Sequence, residues 1–317
     1  MSRADATESS ERIDRETVAG LSRGLRVLEA FNEGGAQMTL SEVARLTQLS
    51  PAAARRSLRT LAALGYVRAV DRHYLLSARV LSLSSAFLRS ADIESMLMPE
   101  LRRLVAVFGD TAGIAVLVNT NIVYVAHHCE PRGLRPVAAT GVKYPAYPTS
   151  LGRALLASLT EPEQDLYFAS APFEKHTHAT ETSPKRLRAI LRQVRKDGYA
   201  TIVDQLFYGV TSLAIPIVDA AGRTIAALNT SAYTGQMSTD MLIRSRLSEL
   251  QRSAVALQRI IGGHPMLRQA LLTEPEQKLA AVARRAADAG YAAGKAAIPL
   301  SHRENHGGNG REDRRKD

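Results

Sequence analysis

Two helix-start signals stand eleven residues apart, at Thr39 and at Ser50, and that spacing leaves room only for a short helix, a tight turn and a second helix. In Thr39-Leu-Ser-Glu42 the threonine hydroxyl and the glutamate three residues on can satisfy each other's orphan amides, which is the capping-box arrangement. Helix then runs to about Thr47 and Gln48-Leu49 forms the turn. Ser50 is a good N-cap, and Pro51 fits the first turn of the next helix because that position needs no amide hydrogen. Ala54, Leu58, Leu61 and Leu64 fall on one side of this second helix, and Gly65 ends it as a C-cap. Ala52, Arg55, Arg56 and Arg59 lie away from that stripe. Three guanidinium groups therefore project from the amino-terminal half of the helix, where a recognition helix meets base edges and phosphates.

The flanking elements fit the same plan. Val18, Leu21, Leu25, Leu28 and Phe31 recur at three- and four-residue steps, which marks an amphipathic helix starting near Thr17 and broken by Gly34-Gly35. Tyr66–Ala69 and His73–Leu76 flank Val70-Asp-Arg72 and read as a hairpin, a wing from which Arg68 or Arg72 reaches backbone phosphates. Residues 17–77 thus read as a winged helix-turn-helix with Ser50, Pro51, Ala52, Arg55, Arg56, Arg59 and Arg72 as DNA-contacting candidates, behind a mobile leader at 1–16. On charge alone, an arginine-rich face that merely solubilises the domain stays open.

Length and charge extend the reading. The 317 residues are too many for one ordinary domain. Of a formal net charge of +10, residues 15–90 hold eleven arginines against five acids, whereas 91–264 hold 18 basic and 15 acidic residues. A basic front beside a nearly neutral larger part points to a polyanion partner for the first and a different one for the second. The single cysteine, Cys129, excludes a disulfide framework and a cysteine-built zinc site. No apolar run approaches about 18 residues and no apolar segment opens the chain, so a soluble, cytoplasmic protein without membrane contact is expected.

Beyond the wing, an apolar-rich helical stretch at 78–98 reads as a linker helix, able to join the domains or to pair with a second subunit. Pro99 is expected to open a helix to about Phe108. Strands follow at Ala112–Val118 and Ile122–His127, with a third candidate at Leu134–Ala139 and helices at Leu151–Leu159 and Pro184–Lys196. Leu213–Val218 and Thr224–Thr230 bracket the hairpin signal Asp219-Ala-Ala-Gly222, and a closing helix spans about Ser238–Ile261. Paired strands with helices between and after them make residues 99–262 an antiparallel sheet covered by helices, and the whole chain α+β. Residues 263–317 form an extension, alanine-rich and then rich in glycine and charge.

Taken in order, these motifs resemble the IclR family of bacterial transcription regulators over about residues 17–262. The carriers are Leu21-Ser-Arg-Gly-Leu-Arg-Val-Leu28, Leu40-Ser-Glu-Val-Ala44, Ala54-Arg-Arg56, Leu61-Ala-Ala-Leu-Gly-Tyr-Val67, Tyr147-Pro-Thr-Ser-Leu-Gly-Arg153, Asp197-Gly-Tyr199, Leu213-Ala-Ile-Pro216 and Ala226-Ala-Leu-Asn-Thr-Ser231. Within the family, Tyr144-Pro-Ala-Tyr-Pro-Thr-Ser-Leu-Gly-Arg153 is most similar to the PcaR, PcaU and PobR group, with Pro148 where that group is expected to carry cysteine or a small polar residue. The resemblance implies a winged helix-turn-helix, a linker helix and a GAF-like effector domain, assembled as a homodimer or dimer of dimers on operator DNA. It also implies control of catabolic genes of the β-ketoadipate type by a small organic acid such as protocatechuate, 4-hydroxybenzoate or a β-ketoadipate-like compound, without a cofactor. Its pocket residues would be Ser150, Leu151, Asp204, Ser212, Asn229 and Ser231.

The residues themselves are compatible with such a pocket. Ser150 and Leu151 stand at an apparent helix start, where free amides can receive a carboxylate. Asn229 and Ser231 alternate on one strand and so share a face, and Ser212 begins the neighbouring strand. Ordinary roles, Ser150 as a plain N-cap and Asp204 as a loop acid, remain open beside this. An enzyme is the main rival class, but no P-loop, Gly-x-Gly-x-x-Gly or His-Glu-x-x-His occurs, and the Gly-x-Ser-x-Gly match at Gly20-Leu-Ser-Arg-Gly24 lies inside the amphipathic helix that starts near Thr17, not on a strand-to-helix elbow. In His127-His128-Cys129-Glu130 at most alternate members could share an ion, so no metal site is expected. A protein-interaction adaptor, the third class, gives no reason for three arginines clustered at a helix start.

Overall fold

The computed structural model describes residues 18–90, 92–130 and 138–272. In the amino-terminal unit α1 (Ala19–Gly34), β1 (Met38–Thr39), α2 (Leu40–Thr47), α3 (Pro51–Ala63), β2 (Val67–Val70) and β3 (His73–Leu76) follow one another. The capping box forms as its spacing predicts: the Glu42 carboxylate accepts from the Thr39 amide at 2.7 Å and Thr39 Oγ1 accepts from the Glu42 amide at 3.3 Å. Gln48 turns into the left-handed region (φ 54°) to end α2, and Ser50 Oγ accepts from the Ala53 amide at 3.3 Å to start α3. Val43, Ala44, Ala54, Leu58, Leu61 and Val67 close a core with Val27, Ala30, Phe31 and Met38. β1 joins the hairpin, giving a three-stranded wing in the order β1-β3-β2.

Two expected stripes are buried only in part, α3 through Ala54, Leu58 and Leu61. α1 buries Val27, Ala30 and Phe31, and leaves Val18, Leu21 and Leu25 exposed. Leu64 is the C-cap of α3 and is exposed. Periodicity finds an apolar face but not which apolar face the neighbouring helices cover.

α4 (Val80–Ser90) follows the wing, and α5 (Ile93–Phe108) enters the second unit. The helix expected to open at Pro99 starts at Ile93, with Pro99 inside it. Ile93, Leu97, Leu101 and Leu104 fall on one buried line and join the main core. Packing of that line outweighs the single helical hydrogen bond that proline cannot donate. α5 therefore straddles the expected boundary at residue 99.

The second unit is a six-stranded antiparallel sheet in the order β6-β5-β4-β9-β8-β7, from β4 (Thr111–Val118), β5 (Asn121–Cys129), β6 (Lys143–Pro145), β7 (Ala200–Val203), β8 (Val210–Val218) and β9 (Thr224–Tyr233). Alternation splits each strand between two cores. Ile114, Val116, Leu213, Ile215 and Leu228 pack under α5 and the 25-residue α9 (Thr239–Gly263). On the other face Ala115, Tyr124, Ala214 and Ala227 lie beneath α6 (Ser150–Ser158), with α7 (Glu161–Ser170) and α8 (Pro184–Asp197) outside it. The small alanines let α6 approach the sheet closely.

Sequence patterning misses α7, β6 and β7, which are short or lack a marked apolar period. Most of the third strand candidate, Leu134–Ala139, lies outside the described residues, and its end at 138–139 is not in a strand. α10 (Pro265–Leu271) places Leu267 and Leu271 in the main core, so the second unit continues past the Gly262-Gly263 break. Residues 1–17 and 273–317 lie outside the description, and with them the leader and most of the extension. Among the described residues no helix is long and apolar enough to cross a membrane.

Candidate functional site

On α3 the side chains of Ala52, Arg55, Arg56 and Arg59 are exposed, and the three arginines form no ion pair or side-chain hydrogen bond among the described residues. Ser50 and Pro51 lie at the exposed start of the same helix, with the Ser50 hydroxyl occupied as the cap. Arg72 is exposed at the tip of the wing, beside Asp71, whose positive φ of 53° makes the hairpin turn. The basic face is thus built on a rigid helix and kept free of intramolecular partners, which leaves its charge available to a polyanion.

The second site lies between the sheet and α6. Thr149 caps that helix by accepting from the Gly152 amide at 3.0 Å, and the Arg153 amide reaches the Thr149 carbonyl at 3.0 Å. The amides of Ser150 and Leu151 have no hydrogen-bond acceptor among the described residues. Ser150, Ser212 and Asn229 are all at least 96 % buried, and Ser231 is half-buried. Their polar atoms meet at one oxygen. Ser212 Oγ donates to the Thr230 carbonyl at 3.1 Å, so the hydroxyls of Ser150 at 2.7 Å and Ser231 at 2.9 Å must donate to it, as does Asn229 Nδ2 at 3.2 Å. A hydroxyl oxygen has two lone pairs, and three donors converge on this one. Asn229 Nδ2 also reaches Ser231 Oγ at 3.3 Å, so donors crowd this oxygen next to two unbonded helix-start amides whose dipole favours negative charge.

Among the described residues Asp204 makes no hydrogen bond to this cluster. It sits in the left-handed region (φ 52°), and its Oδ1 accepts from the Gly209 amide at 2.8 Å, the Val210 amide at 3.1 Å and Thr234 Oγ1 at 3.0 Å. The carboxylate closes the loop between β7 and β8, the loop-acid role left open for it above.

Other residues brace the segments around α6; Arg153 and Tyr144 stand in the motif quoted above but were not among the candidate pocket residues. Arg153 is 5 % exposed; Nε donates to the Tyr147 carbonyl at 2.9 Å and Nη2 to Gln205 Oε1 at 2.7 Å. Burial pulls its guanidinium down to about 10, still charged near neutrality. Gln205 in turn accepts from the Glu181 amide and donates to the Ala179 carbonyl, tying the loop before α8 to the loop after β7. Tyr124, 8 % exposed, lies beside the Asn229 side chain over Gly113 and is held above its usual range by burial. Tyr144 meets Tyr124 edge-on at 6.4 Å and Phe207 at 5.4 Å, so aromatic rings continue the wall from the polar cluster. The alternation of Ile122 and Tyr124 on β5 was the available signal for Tyr124. Phe207 lies in a loop and gave none. Among the described residues no three or more His, Cys, Asp or Glu side chains are grouped to hold a metal ion.

A winged helix with a free basic face, followed by a sheet domain with a buried donor-rich cluster, is the architecture of a DNA-binding transcription regulator. Residues 20–71 match the IclR helix-turn-helix domain and residues 85–259 the bacterial transcriptional regulator IclR C-terminal domain. The chain belongs to the IclR family of bacterial transcription regulators and is a regulator, not an enzyme. It is 34 % identical over 230 residues, 72 % of this chain and 79 % of the relative, to the Pca regulon regulatory protein of Pseudomonas putida. It is 33 % identical over 260 residues, 80 % of this chain and 96 % of the relative, to the p-hydroxybenzoate hydroxylase transcriptional activator of Acinetobacter baylyi. A solved transcriptional regulator from Rhodococcus sp. RHA1 superimposes with a TM-score of 0.62 at 35 % identity, over 77 % of this chain and 98 % of that one. The expected α+β fold, the regulator class and the resemblance to the Pca and p-hydroxybenzoate regulators are borne out.

Proposed function

We propose that this regulator senses a small aromatic carboxylate and controls genes for the breakdown of such compounds. The carboxylate would rest on the Ser150 and Leu151 amides and on the hydroxyl and amide groups of Ser150, Ser212, Asn229 and Ser231. The observation that carries this reading is the convergence of three donors on Ser212 Oγ beside the unbonded Ser150 and Leu151 amides, because an anion entering there can accept from donors that the two lone pairs of one oxygen cannot all serve. Charge-assisted hydrogen bonds of this kind are the strong ones. The aromatic wall of Tyr124, Tyr144 and Phe207 favours a flat ring over an aliphatic chain, and relatives named for Pca and p-hydroxybenzoate control agree.

In the same reading Ser50, Pro51, Ala52, Arg55, Arg56, Arg59 and Arg72 meet operator DNA in the cytoplasm. The chain acts as a homodimer on inverted half-sites, alone or as a dimer of dimers. The exposed Val18, Leu21 and Leu25 of α1 and Leu81 and Leu83 of α4 offer apolar surface for that association.

A thermal-shift screen of benzoate, 4-hydroxybenzoate, protocatechuate and β-ketoadipate tests the effector. A ligand at 100 times its dissociation constant adds about 2.7 kcal/mol of stability. At least one aromatic acid is expected to raise the unfolding temperature of the parent, and Ser212→Ala to weaken that acid by about 1.5–3 kcal/mol. No shift with any acid, or an unchanged titration for Ser212→Ala, contradicts the reading.

A further inference from the structure

On the site face of the sheet, β5 carries a polar residue that the hydroxyl cluster does not use. His127 lies opposite Gly113 in the β4–β5 register, and Gly113 lies opposite Asn229 in the β4–β9 register. Residues directly opposite in an antiparallel pair point to the same face. His127, Gly113 and Asn229 therefore form one row across three strands, and its middle member has no side chain.

The Tyr124 ring fills that gap. A Cβ on Gly113 would stand 2.7 Å from Tyr124 Cε1 and 3.1 Å from Asn229 Oδ1, so only glycine lets the ring lie down over the strand. Tyr124 lies beside Asn229 over Gly113 and meets His127 edge-on at the other end of the row, with ring centroids 5.6 Å apart and an interplanar angle of 89°. An aromatic floor thus runs from the donor cluster to the imidazole.

His127 is half-buried and has no hydrogen-bond partner among the described residues. Burial, helped by the neighbouring His128, lowers it to about 4, which leaves it neutral near pH 7. A neutral imidazole offers one donor and one acceptor, the pair that a phenolic hydroxyl also offers. Strands stand about 4.8 Å apart, so Asn229 on β9 and His127 on β5 are separated by roughly 10 Å along one row. That distance suits a single aromatic ring bearing a polar group at each end.

We propose that His127 is a specificity-determining residue of the effector site, exchanging a hydrogen bond with a ring hydroxyl remote from the carboxylate and so preferring hydroxylated benzoates to benzoate. The inference rests on reading the Ser150, Ser212, Asn229 and Ser231 cluster as the carboxylate end.

Isothermal titration of the full-length protein with benzoate and 4-hydroxybenzoate tests it. His127→Phe keeps the ring contact with Tyr124 and removes the hydrogen bond; it is expected to weaken 4-hydroxybenzoate about tenfold and benzoate by less than about twofold. His127→Gln, whose amide both donates and accepts, is expected to hold 4-hydroxybenzoate within about threefold of the parent. Ser212→Ala should weaken both acids alike. If both acids bind the parent and His127→Phe affects them equally or not at all, the role of His127 is overturned while the carboxylate site stands. If neither acid binds the parent, the carboxylate site itself is wrong and this inference falls with it.

Discussion

Replacing Arg55, Arg56 and Arg59 together by alanine is expected to reduce operator affinity by about a thousandfold, while unfolding temperature and effector binding stay at parent values. Each side chain that reads a base contributes about 1–3 kcal/mol of discrimination, and each that meets only a phosphate releases counterions and steepens the salt dependence. The three lie on one exposed face of α3 without internal partners, so nothing in the fold depends on them. Exposed substitutions of this kind usually change stability by less than about 0.5 kcal/mol. Fluorescence anisotropy across a salt series separates the contributions: single variants that lower the salt slope by about one report phosphate contacts, and single variants that relax preference at one base position report base contacts. Parent affinity in the triple variant would show that another surface meets the DNA.

Gly152→Ala carries the largest expected effect on the sensing domain. A Cβ there would lie 2.0 Å from the Ala146 carbonyl oxygen and 2.5 Å from its carbon, both backbone atoms with no rotamer to yield. Either α6 or the Tyr144–Thr149 segment must move, and both are anchored. The Tyr147 amide donates to Tyr167 Oη at 3.1 Å, the Tyr147 hydroxyl donates to the Glu174 carbonyl, and Arg153 holds the Tyr147 carbonyl. Forcing a methyl into such a place costs about 3 kcal/mol, the upper end for overpacking. In a domain of this size that lowers the unfolding temperature by roughly 6–12 °C. Because Ser150 and Leu151 start the displaced helix, effector affinity is expected to fall with it. Calorimetry of the variant with and without an aromatic acid checks both effects. Parent values for both would mean that the close approach of α6 to Ala146 is absent.

Gly152 also shows where reading a sequence succeeds and where it stops. The capping box, Ser50-Pro51 and the exposed arginines were legible because caps and helical faces are local, and a few residues decide them. Ser150, Ser212, Asn229 and Ser231 were legible as residue types on one face, but their meeting at a single oxygen depends on the β8–β9 register and on how near α6 lies, which no local pattern encodes. Asp204 had the right chemistry for a ligand, and the structure shows one of its carboxylate oxygens closing a turn. Tyr124 and His127 act through Gly113, and only the paired strands show that a missing side chain makes room for a ring. The α1 stripe was visible as a period, yet tertiary packing buries its Phe31 with Val27 and Ala30 and leaves Val18, Leu21 and Leu25 outside. Pro99 looked like a helix start because proline suits that position, but one buried line from Ile93 to Leu104 carries the helix through it.

The most direct test of effector-controlled DNA binding is operator affinity of the full-length protein, measured by anisotropy on DNA from upstream of its own coding sequence, with and without a saturating aromatic acid. A ligand that prefers one arrangement of the paired DNA-binding domains must change that affinity, and couplings of this kind are typically about 5- to 150-fold. The expected result is a shift of that size in the parent and its loss in Ser212→Ala, which should still bind DNA. Operator affinity that stays the same when the acid is bound would contradict the proposed control of DNA binding by this site.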